Sequence, residues 1–297
     1  MQHLPKPAVA ALLLNTTIWG LSWTGTRALE GMGLHPVWAT AAIFGLCALL
    51  LLTLRYRDLP QLWRHPALLC VGLATGLTNC AFNVAVAYGD VVRVVLLFYL
   101  MPVWTVILAR LVLHEAITPR SLARVALGLA GAFIVLYQPR LGIPLPRSLP
   151  DWMALAAGLL FAFTNVLLRR MHGLSSDGAR AVAMLAGSGL LATLLGLLLS
   201  LSGMIAWPLQ VSAAAAPVVG VWALLFLFSN LCLQYGVSRL PANITAVVML
   251  TEILVASLSS WALGAAELRV QDLVGGILII AAPWIVRERR RVAAQPA

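Results

Sequence analysis

Apolar runs, each long enough to form a membrane-spanning helix, recur along the whole chain. Residues 94–109, for example, carry no charge and are bounded by Arg93 and Arg110. An α-helix rises about 1.5 Å per residue, so about 20 residues cross the ~30 Å hydrocarbon core of a membrane. The pattern therefore predicts ten membrane-spanning helices. They cover residues 8–29, 36–55, 66–88, 91–114, 120–138, 151–171, 179–201, 214–236, 241–264 and 271–287.

The composition is that of a protein embedded in lipid. Hydrophobic residues make up 61% of the 297 residues, charged residues make up only 10%, and the mean hydropathy is +0.94. Water-soluble domains carry roughly 25% charged residues. The net charge of +10 comes from basic residues in short loops between apolar runs, so it predicts membrane orientation and no nucleic-acid partner.

The basic residues are unevenly divided between the two ends of the predicted helices. Of the 20 Lys and Arg residues, fifteen fall on the side that holds both chain termini and five on the opposite side. Those five are Arg27, Arg93, Arg140, Arg147 and Arg269. Short cytoplasmic loops carry an excess of Lys and Arg. We therefore predict a multi-pass protein of the inner (plasma) membrane with both termini, including a basic tail at 288–297, in the cytoplasm.

The chain divides into two halves of five predicted helices, residues 8–138 and 151–287, joined by a Pro- and Gly-rich link. A shift of 151 positions superposes unusual residues of the two halves, which suggests an internal duplication. They are Asn79 over Asn230, Asn83 over Gln234, and Met101-Pro102 over Glu252-Ile253. Because five is odd, a duplicated half must enter the membrane from the opposite side. The predicted fold is an all-α membrane protein with ten transmembrane helices in two inverted five-helix repeats.

Pro102 lies near the middle of the fourth predicted helix. Proline has no N–H to donate and its ring crowds the carbonyl of Phe98, so the helix should kink here. In lipid, a freed backbone carbonyl must find a partner or face a cavity. Pro102 is therefore a candidate hinge in the wall of a pathway.

Six short segments along the two halves form a recognisable set. They are Trp19-Gly20, Leu100 through Val103, Leu113 through Glu115, Gly128 through Gly131, Leu250 through Glu252, and Leu263 through Glu267. Together they resemble EamA-type members of the drug/metabolite transporter superfamily. The resemblance implies two repeats, transport of a small metabolite, and a central cavity lined by helices 1, 3, 4, 6, 8 and 9. Ile253 stands where relatives often carry proline, so a kink in the ninth helix stays open.

Glu252 lies in the middle of the ninth apolar run, where a charged side chain is costly. One interpretation is a cavity-facing carboxyl that binds a cationic group of a substrate or takes up a proton. The alternative is a carboxyl that pairs with a neighbouring helix and stabilises the packing. The sequence leaves both open.

Further polar and aromatic side chains in the middle of predicted helices are candidate substrate contacts. Amides at that depth bind either a solute or a neighbouring helix, and aromatic rings either pack or face an apolar or cationic ligand. Together with Glu252, the candidate substrate-binding residues are Trp19, Trp23, Asn79, Asn83, Tyr99, Trp104, Thr164, Asn165, Asn230 and Gln234.

Charged residues at helix ends are candidates for gates or end-locking pairs. Arg93 with Asp90 would form an ion pair at the outer mouth, although snorkelling to the interface is the default for such an arginine. Glu115 and Glu267 close the fourth and ninth helices, where a carboxylate opposes the helix dipole and needs a basic partner. The arginines nearest in sequence are Arg110, Arg120 and Arg124 for Glu115, and Arg269 for Glu267.

The sequence contains no catalytic constellation, no metal-ligand spacing and no nucleotide-binding loop, so we expect no enzyme, metal or cofactor. We predict a secondary transporter that works by alternating access in the lipid bilayer, as a monomer or homodimer. Its expected substrate is a small metabolite, first of all an amino acid or a related compound, moved outward and coupled to protons or to exchange. A facilitative uniporter or channel is the alternative, and a membrane enzyme acting on lipid-borne substrates is a more distant one.

Overall fold

The computed structural model describes residues 5–138, 145–208 and 211–283, and within them the chain forms helices and no β-strand. The helices of these residues are α1 (Lys6–Gly31), α2 (Pro36–Arg55), α3 (Leu59–Arg64), α4 (Pro66–Tyr88), α5 (Val91–Phe98), α6 (Met101–Val112), α7 (Pro119–Leu136), α8 (Leu149–Arg170), α9 (Asp177–Leu201), α10 (Ala215–Arg239), α11 (Ala242–Met249), α12 (Thr251–Ala262) and α13 (Val270–Ala281). A 3₁₀ turn, Tyr56–Asp58, joins α2 to α3.

Eight helical segments of the described residues are long and apolar enough to cross a membrane. They are Pro36–Arg64, Pro66–Tyr88, Val91–Val112, Pro119–Leu136, Leu149–Arg170, Asp177–Leu201, Ala215–Arg239 and Ala242–Ala262. This confirms an all-helical, multi-pass membrane fold for the described residues.

The first and last predicted spans fall outside these eight. In α1, polar residues such as Asn15 and Thr16 interrupt the apolar run, and both are buried against other helices. The apolar helix α13 has only 12 described residues. The tenth predicted span runs on past residue 283, so its end and the predicted tail 288–297 lie outside the described residues.

Helix starts follow ordinary capping chemistry. Proline occupies the first turn of α1, α2, α3, α4, α6, α7 and α8, where its missing N–H is not needed by the helix. Thr118 forms a capping box with Ser121 at α7, and Ser148 forms one with Asp151 at α8. These caps fix where the helices begin.

Each helix of the first half apart from α3 has a counterpart in the second half that makes equivalent contacts with other helices. The counterpart of α1 is α8, that of α2 is α9, that of α4 is α10, that of the pair α5–α6 is α11–α12, and that of α7 is α13. The helix α1 packs on α10 and α12, as α8 packs on α4 and α6, and α2 packs on α10 as α9 packs on α4. The equivalent pairs α2–α9 and α7–α13 pack on each other. This pattern supports two repeats, and their inverted insertion stays a prediction.

Two helices that the sequence predicts as single spans are each broken near the middle. The helices α5 and α6 have 8 and 12 residues, and α11 and α12 repeat these lengths. At the breaks, the amide of Leu100 donates to the carbonyl of Leu97 at 3.3 Å, and that of Leu250 donates to Val247 at 3.1 Å. Both bonds span three residues, which is 3₁₀ geometry.

The two breaks have different chemical causes. Pro102 lies in the first turn of α6 and has no N–H to donate to the carbonyl of Phe98. The break between α11 and α12 has no proline. There the Thr251 hydroxyl donates to the Val248 carbonyl at 2.7 Å and lies 3.0 Å from the hydroxyl of Thr16 in α1. The ninth predicted span is therefore broken without proline, next to a hydroxyl that bonds to a nearby carbonyl, a contact that often bends helices.

Candidate functional site

A cavity of about 240 Å³ lies between the two halves. Residues of α1, α4, α5, α9, α10 and α12 line it, with single residues from α2, α7, α8 and α11. Both helix breaks reach it, through Tyr99 at the first and through Met249 and Glu252 at the second. The six helices that the family resemblance implies all contribute, and the second, fifth and seventh predicted spans contribute as well.

Along the two broken helices, the cavity extends to one side of the breaks. Its lining residues in α5 precede the first break, whereas those in α12 follow the second. The segment α11, before the second break, packs on α6, after the first, as expected of helices that run in opposite directions. Along α5 and α12 the cavity therefore extends toward the predicted outer side, and Met184 of α9 and Leu233 of α10 continue its lining toward the predicted cytoplasmic ends of those helices.

Aromatic rings form the apolar wall of the cavity. The ring centroid of Trp19 lies 4.7 Å from that of Phe226, and the centroid of Phe98 lies 4.8 Å from that of Phe82. Rings at such distances attract one another in edge-to-face and tilted pairs, so the wall is both apolar and well packed. The full set is Trp19, Phe44, Phe82, Phe98, Tyr99, Phe161 and Phe226.

Glu252 is the only Asp, Glu, Lys or Arg among the described residues that line the cavity. Its side chain is half-buried and lies close to Tyr99, which is 6% exposed. A carboxylate accepts several hydrogen bonds, so Glu252 has acceptor capacity for a bound molecule. The site therefore holds one acid without a basic partner among the lining residues, and it attracts a cationic or hydrogen-bond-donating group.

A chain of three side chains fixes the orientation of the Asn230 amide. Arg180 is 1% exposed, and its Nε–H donates to Oε1 of Gln234 at 3.3 Å. Because arginine has only donors, Nε2 of Gln234 faces away from it and donates to Oδ1 of Asn230 at 2.8 Å. The NH₂ of Asn230 then lies 3.5 Å from the Met184 sulfur, and both residues line the cavity. Asn230 therefore offers a donor to a bound molecule.

The first half of the chain matches a known family. Residues 6–137, which contain α1 to α7, match the model of the EamA-like transporter family. The first half of the chain is therefore similar to this family. EamA-type proteins are membrane transporters of the drug/metabolite transporter superfamily, and the resemblance found in the sequence is confirmed.

Solved structures resemble the transporter over nearly its whole length. Among 29 matching chains, one described as "Crystal structure of protein" has a TM-score of 0.76 and 16% sequence identity. The alignment covers 94% of the transporter and 97% of that chain, so the likeness shows a shared fold. No curated protein sequence matches the transporter.

Five of the predicted substrate-binding residues of the transporter line the cavity. They are Trp19, Asn79, Tyr99, Asn230 and Glu252. In each predicted amide pair, only the first member reaches the cavity. Asn83 donates to the Thr40 hydroxyl at 2.7 Å instead, and Gln234 stands behind Asn230.

Trp23 and Trp104 do not line the cavity of the transporter. The Trp23 Nε1–H donates to the Ser259 hydroxyl at 3.0 Å, and the guanidinium of Arg27 lies 5.5 Å from its ring centroid. Trp104 follows the first break, and its Nε1 is buried without a hydrogen-bond partner among the described residues. Both indoles therefore belong to the packing around the pathway in this conformation.

Thr164 and Asn165 lie on the other side of the helix breaks. Asn165 lines a second pocket, of about 10 Å³, between α6, α8, α10 and α11. Thr105 of this pocket follows the first break and Thr245 precedes the second, so the pocket faces the predicted cytoplasmic side. Thr164 is fully buried beside Asn165 in α8.

The predicted gating residues have separate roles in the transporter. The Asp90 carboxylate caps α5 by accepting from the amides of Val92 and Arg93, each at 3.1 Å. The guanidinium of Arg93 lies 3.7 Å from the carboxylate of Asp151, at the start of α8. Asp151 could not be found from the sequence, because its proximity to Arg93 depends on the packing of α5 against α8.

Sequence reasoning missed Asn15 and Ser188, which also line the cavity. A signal for Asn15 existed, because it lies four residues before Trp19 and so shares its helix face. Its Nδ2 donates to the Ser229 hydroxyl at 2.7 Å. Ser188 accepts from Asn79 at 2.9 Å, but it lies in the seventh predicted span, which the family resemblance does not place at the cavity.

Proposed function

We propose that the transporter carries a small amine-bearing metabolite across the membrane by alternating access, with the cavity as its binding site. The observation that carries this proposal is a cavity shared by both halves, reached by both helix breaks, with one carboxyl and no basic group among its described lining residues. Secondary transporters bind their substrates near the midplane, between two repeats and at interrupted helices.

The lining favours an amine over an anion. An ammonium group would be bound by the carboxylate of Glu252 and by the aromatic faces around it, such as that of Trp19. A carboxylate would meet no basic side chain among the described lining residues and would depend on the NH₂ of Asn230. An amino acid is thus one candidate, and its amide fits the lining better.

The difference in size between the cavity and the second pocket favours alternating access over a pore. Along α5 and α12, the cavity lies on the predicted outer side of the breaks. On the predicted cytoplasmic side lies a pocket of about 10 Å³, roughly the space of one water molecule. A channel needs one continuous passage, whereas a carrier closes one end while the other is open. Export coupled to protons or to exchange is the direction and coupling we propose, with Glu252 as the shared binding group.

Orientation in the inner membrane with both termini in the cytoplasm is part of the proposal. The charge distribution supports this orientation, because fifteen of the 20 Lys and Arg residues lie on the side that holds the two termini. Reporter fusions after Thr118 and after Leu149 test it, since the first should report the cytoplasm and the second the outer side.

Ligand binding to the purified full-length protein tests the substrate class. Leucine, leucinamide and isoamylamine share one apolar body and differ in the group beside the amine. We expect calorimetry to rank leucinamide and isoamylamine above leucine. The best ligand should then show saturable counterflow in proteoliposomes, with protein-free liposomes as the control for passive leakage. Tightest binding of leucine would contradict the substrate class, and non-saturating flux would favour a pore.

A further inference from the structure

An ion pair joins two helix ends at the predicted cytoplasmic side. Nε of Arg169 lies 2.9 Å from Oε1 of Glu115, and their side chains are 26% and 24% exposed. Arg169 is in the last turn of α8, and Glu115 follows α6 after a left-handed residue, His114, with φ 58°. The sequence suggested arginines close to Glu115 along the chain. The pair with Arg169 instead connects α6 to α8, which lie on opposite sides of the link between the halves.

Buried polar atoms without partners lie beneath this ion pair. Arg169 lines the pocket of about 10 Å³ together with Asn165 and Thr245. Oδ1 of Asn165 and Oγ1 of Thr245 are buried and have no hydrogen-bond partner among the described residues. Buried polar groups are normally hydrogen-bonded, so two unpaired atoms in one pocket need an explanation. Water or solute that enters when α6, α8 and α11 separate would satisfy them.

Arg27 matches Arg169 at the predicted outer end. Arg27 follows Trp19 by eight residues in α1. In α8, Arg169 follows Phe161 by the same interval, and both aromatic residues line the cavity. The helix contacts also make α1 the counterpart of α8.

Glu267 matches Glu115 in the same way. Glu115 comes after α6 and its left-handed His114. Glu267 comes after α12 and a left-handed Gly264, with φ 70°. Each half therefore ends its broken helix in a turn of the same hand followed by a glutamate.

At the predicted outer end the matching pair is not formed. Arg27 and Glu267 are both exposed, and neither makes an ion pair with another described residue. The Arg27 guanidinium lies over the Trp23 ring instead. Arg269, the neighbour that the sequence suggested for Glu267, lies 3.3 Å from the carboxylate of Asp272.

We propose that these two arginine–glutamate pairs are alternating latches, Arg169–Glu115 at the predicted cytoplasmic end and Arg27–Glu267 at the outer end, of which one is formed at a time. The proposal rests on the alternating-access function proposed above. Along the two broken helices, the cavity lies on the side whose latch is open, and the unpaired polar atoms lie on the side whose latch is closed. A partly exposed ion pair is weak enough to break in each cycle and strong enough to shift a balanced equilibrium.

Two reporter cysteines measure which end is open. Thr245→Cys lies under the closed latch, and Ser257→Cys lies in the cavity, and both substitutions nearly preserve side-chain size. They are placed singly in the full-length protein after the four native cysteines are replaced. Those are Cys47, Cys70, Cys80 and Cys232. With a hydrophilic maleimide in detergent, we expect rapid labelling at position 257 and slow labelling at position 245.

Glu115→Gln tests the latch, and Glu267→Gln is its matched control. We expect Glu115→Gln to raise the labelling rate at position 245 about two- to five-fold, as expected for loss of a partly exposed ion pair, and to lower the rate at position 257. Glu267→Gln should change neither rate, because its latch is open at rest. The charge swap Arg169→Glu with Glu115→Arg should restore slow labelling at position 245.

Three outcomes would overturn the latch proposal. They are unchanged labelling in Glu115→Gln, equal effects of both glutamine variants, or a charge swap that fails to restore protection in a protein that elutes as a single peak. Saturable counterflow by the parent protein in any of these cases would leave the transport function standing. Absence of saturable flux with every ligand tested would instead contradict the transport function, whatever the labelling shows.

Discussion

The two broken helices have equal lengths and different chemistry at the break. The segment α6 begins with Met101-Pro102 and α12 begins with Thr251-Glu252, so a proline follows the first break and a glutamate follows the second. Proline cannot donate to the preceding turn in any conformation. The Thr251 hydroxyl can exchange one acceptor for another. The first break is therefore permanent, and the second is adjustable.

The difference also explains how an acid is tolerated at this depth. A break creates a new helix N-terminus in the middle of the membrane, and Glu252 lies in the first turn of α12. The free N–H groups and the helix dipole at an N-terminus stabilise a carboxylate. The half with the adjustable break therefore carries the acid, and the half with the permanent break supplies Tyr99 beside it.

The largest effect is expected from Glu252→Gln, which keeps the shape of the side chain and removes its charge. A hydrogen bond to a charged group contributes roughly 1.5–3 kcal/mol, so amine binding should weaken about 10- to 100-fold. Calorimetry with leucinamide and counterflow in proteoliposomes measure this loss. Glu30→Gln, at an exposed position of α1, is the control and should change neither value. If Glu252→Gln bound leucinamide as tightly as the parent protein, the charge of Glu252 would have no role in amine binding.

A smaller effect on stability is expected where glycines contact the two breaks. A Cβ at Gly158 of α8 would lie 2.5 Å from the Phe98 carbonyl oxygen, and one at Gly20 of α1 would lie 2.9 Å from the carbonyl oxygen of Glu252. Each alanine variant should lose about 1–3 kcal/mol of unfolding free energy, because the backbone must shift to make room. Thermal unfolding in detergent measures this loss.

Gly220→Ala is the matched control for these two variants. Nothing lies within 4 Å of a Cβ built there, so its unfolding midpoint should stay near that of the parent. We expect Gly158→Ala to lower the unfolding midpoint more than Gly20→Ala, because the backbone at the permanent break cannot shift to make room. Equal midpoints for all three variants would show that neither break is held by close helix contact.

Much of the fold follows from the sequence because burial in lipid makes local patterns decisive. The lengths of the apolar runs predict eight of the spans, and the position of Pro102 predicts the first break. The second break could not be predicted, because Thr251 acts together with Thr16, a residue 235 positions away. The contact between Thr251 and Thr16 is tertiary, and no local pattern in α11–α12 encodes it.

The candidate site was predictable to a lesser degree for the same reason. Glu252 and Tyr99 stand out as unusual residues near the middle of apolar runs, and both line the cavity. Spacing of four residues places Asn83 and Gln234 on the correct helix face, but it does not tell which turn of the face reaches the cavity. Arg180 and Asp151 depend on contacts between distant helices, so their roles appear only in the structure.

Thr251→Val should separate the adjustable break from the permanent one. The variant removes the bonds to Val248 and Thr16 and keeps the branched shape, so it should cost about 1 kcal/mol of stability. Transport should fall further than stability accounts for, since the break would lose the group that holds it. Thr193→Val, which removes a hydroxyl bonded to Gly189 in α9, is the control for stability alone. Equal counterflow rates in the two variants would contradict an adjustable second break.

The smallest effect concerns the amide pairs of the two halves, of which only the second is bound to an arginine. In Gln234→Glu the new carboxylate would still accept from Arg180 but could no longer donate to Asn230. The Asn230 amide should then turn, donate to residue 234 and present its oxygen to the cavity. Loss of one neutral hydrogen bond costs about 0.5–1.5 kcal/mol, so the preference for leucine methyl ester, whose carbonyl can only accept, over isoamylamine should fall about two- to ten-fold. Asn83→Asp, at the matching position of the first half, should leave this ratio unchanged, because Asn83 does not line the cavity. An unchanged ratio in Gln234→Glu would mean that the substrate does not bind the donor that Asn230 offers.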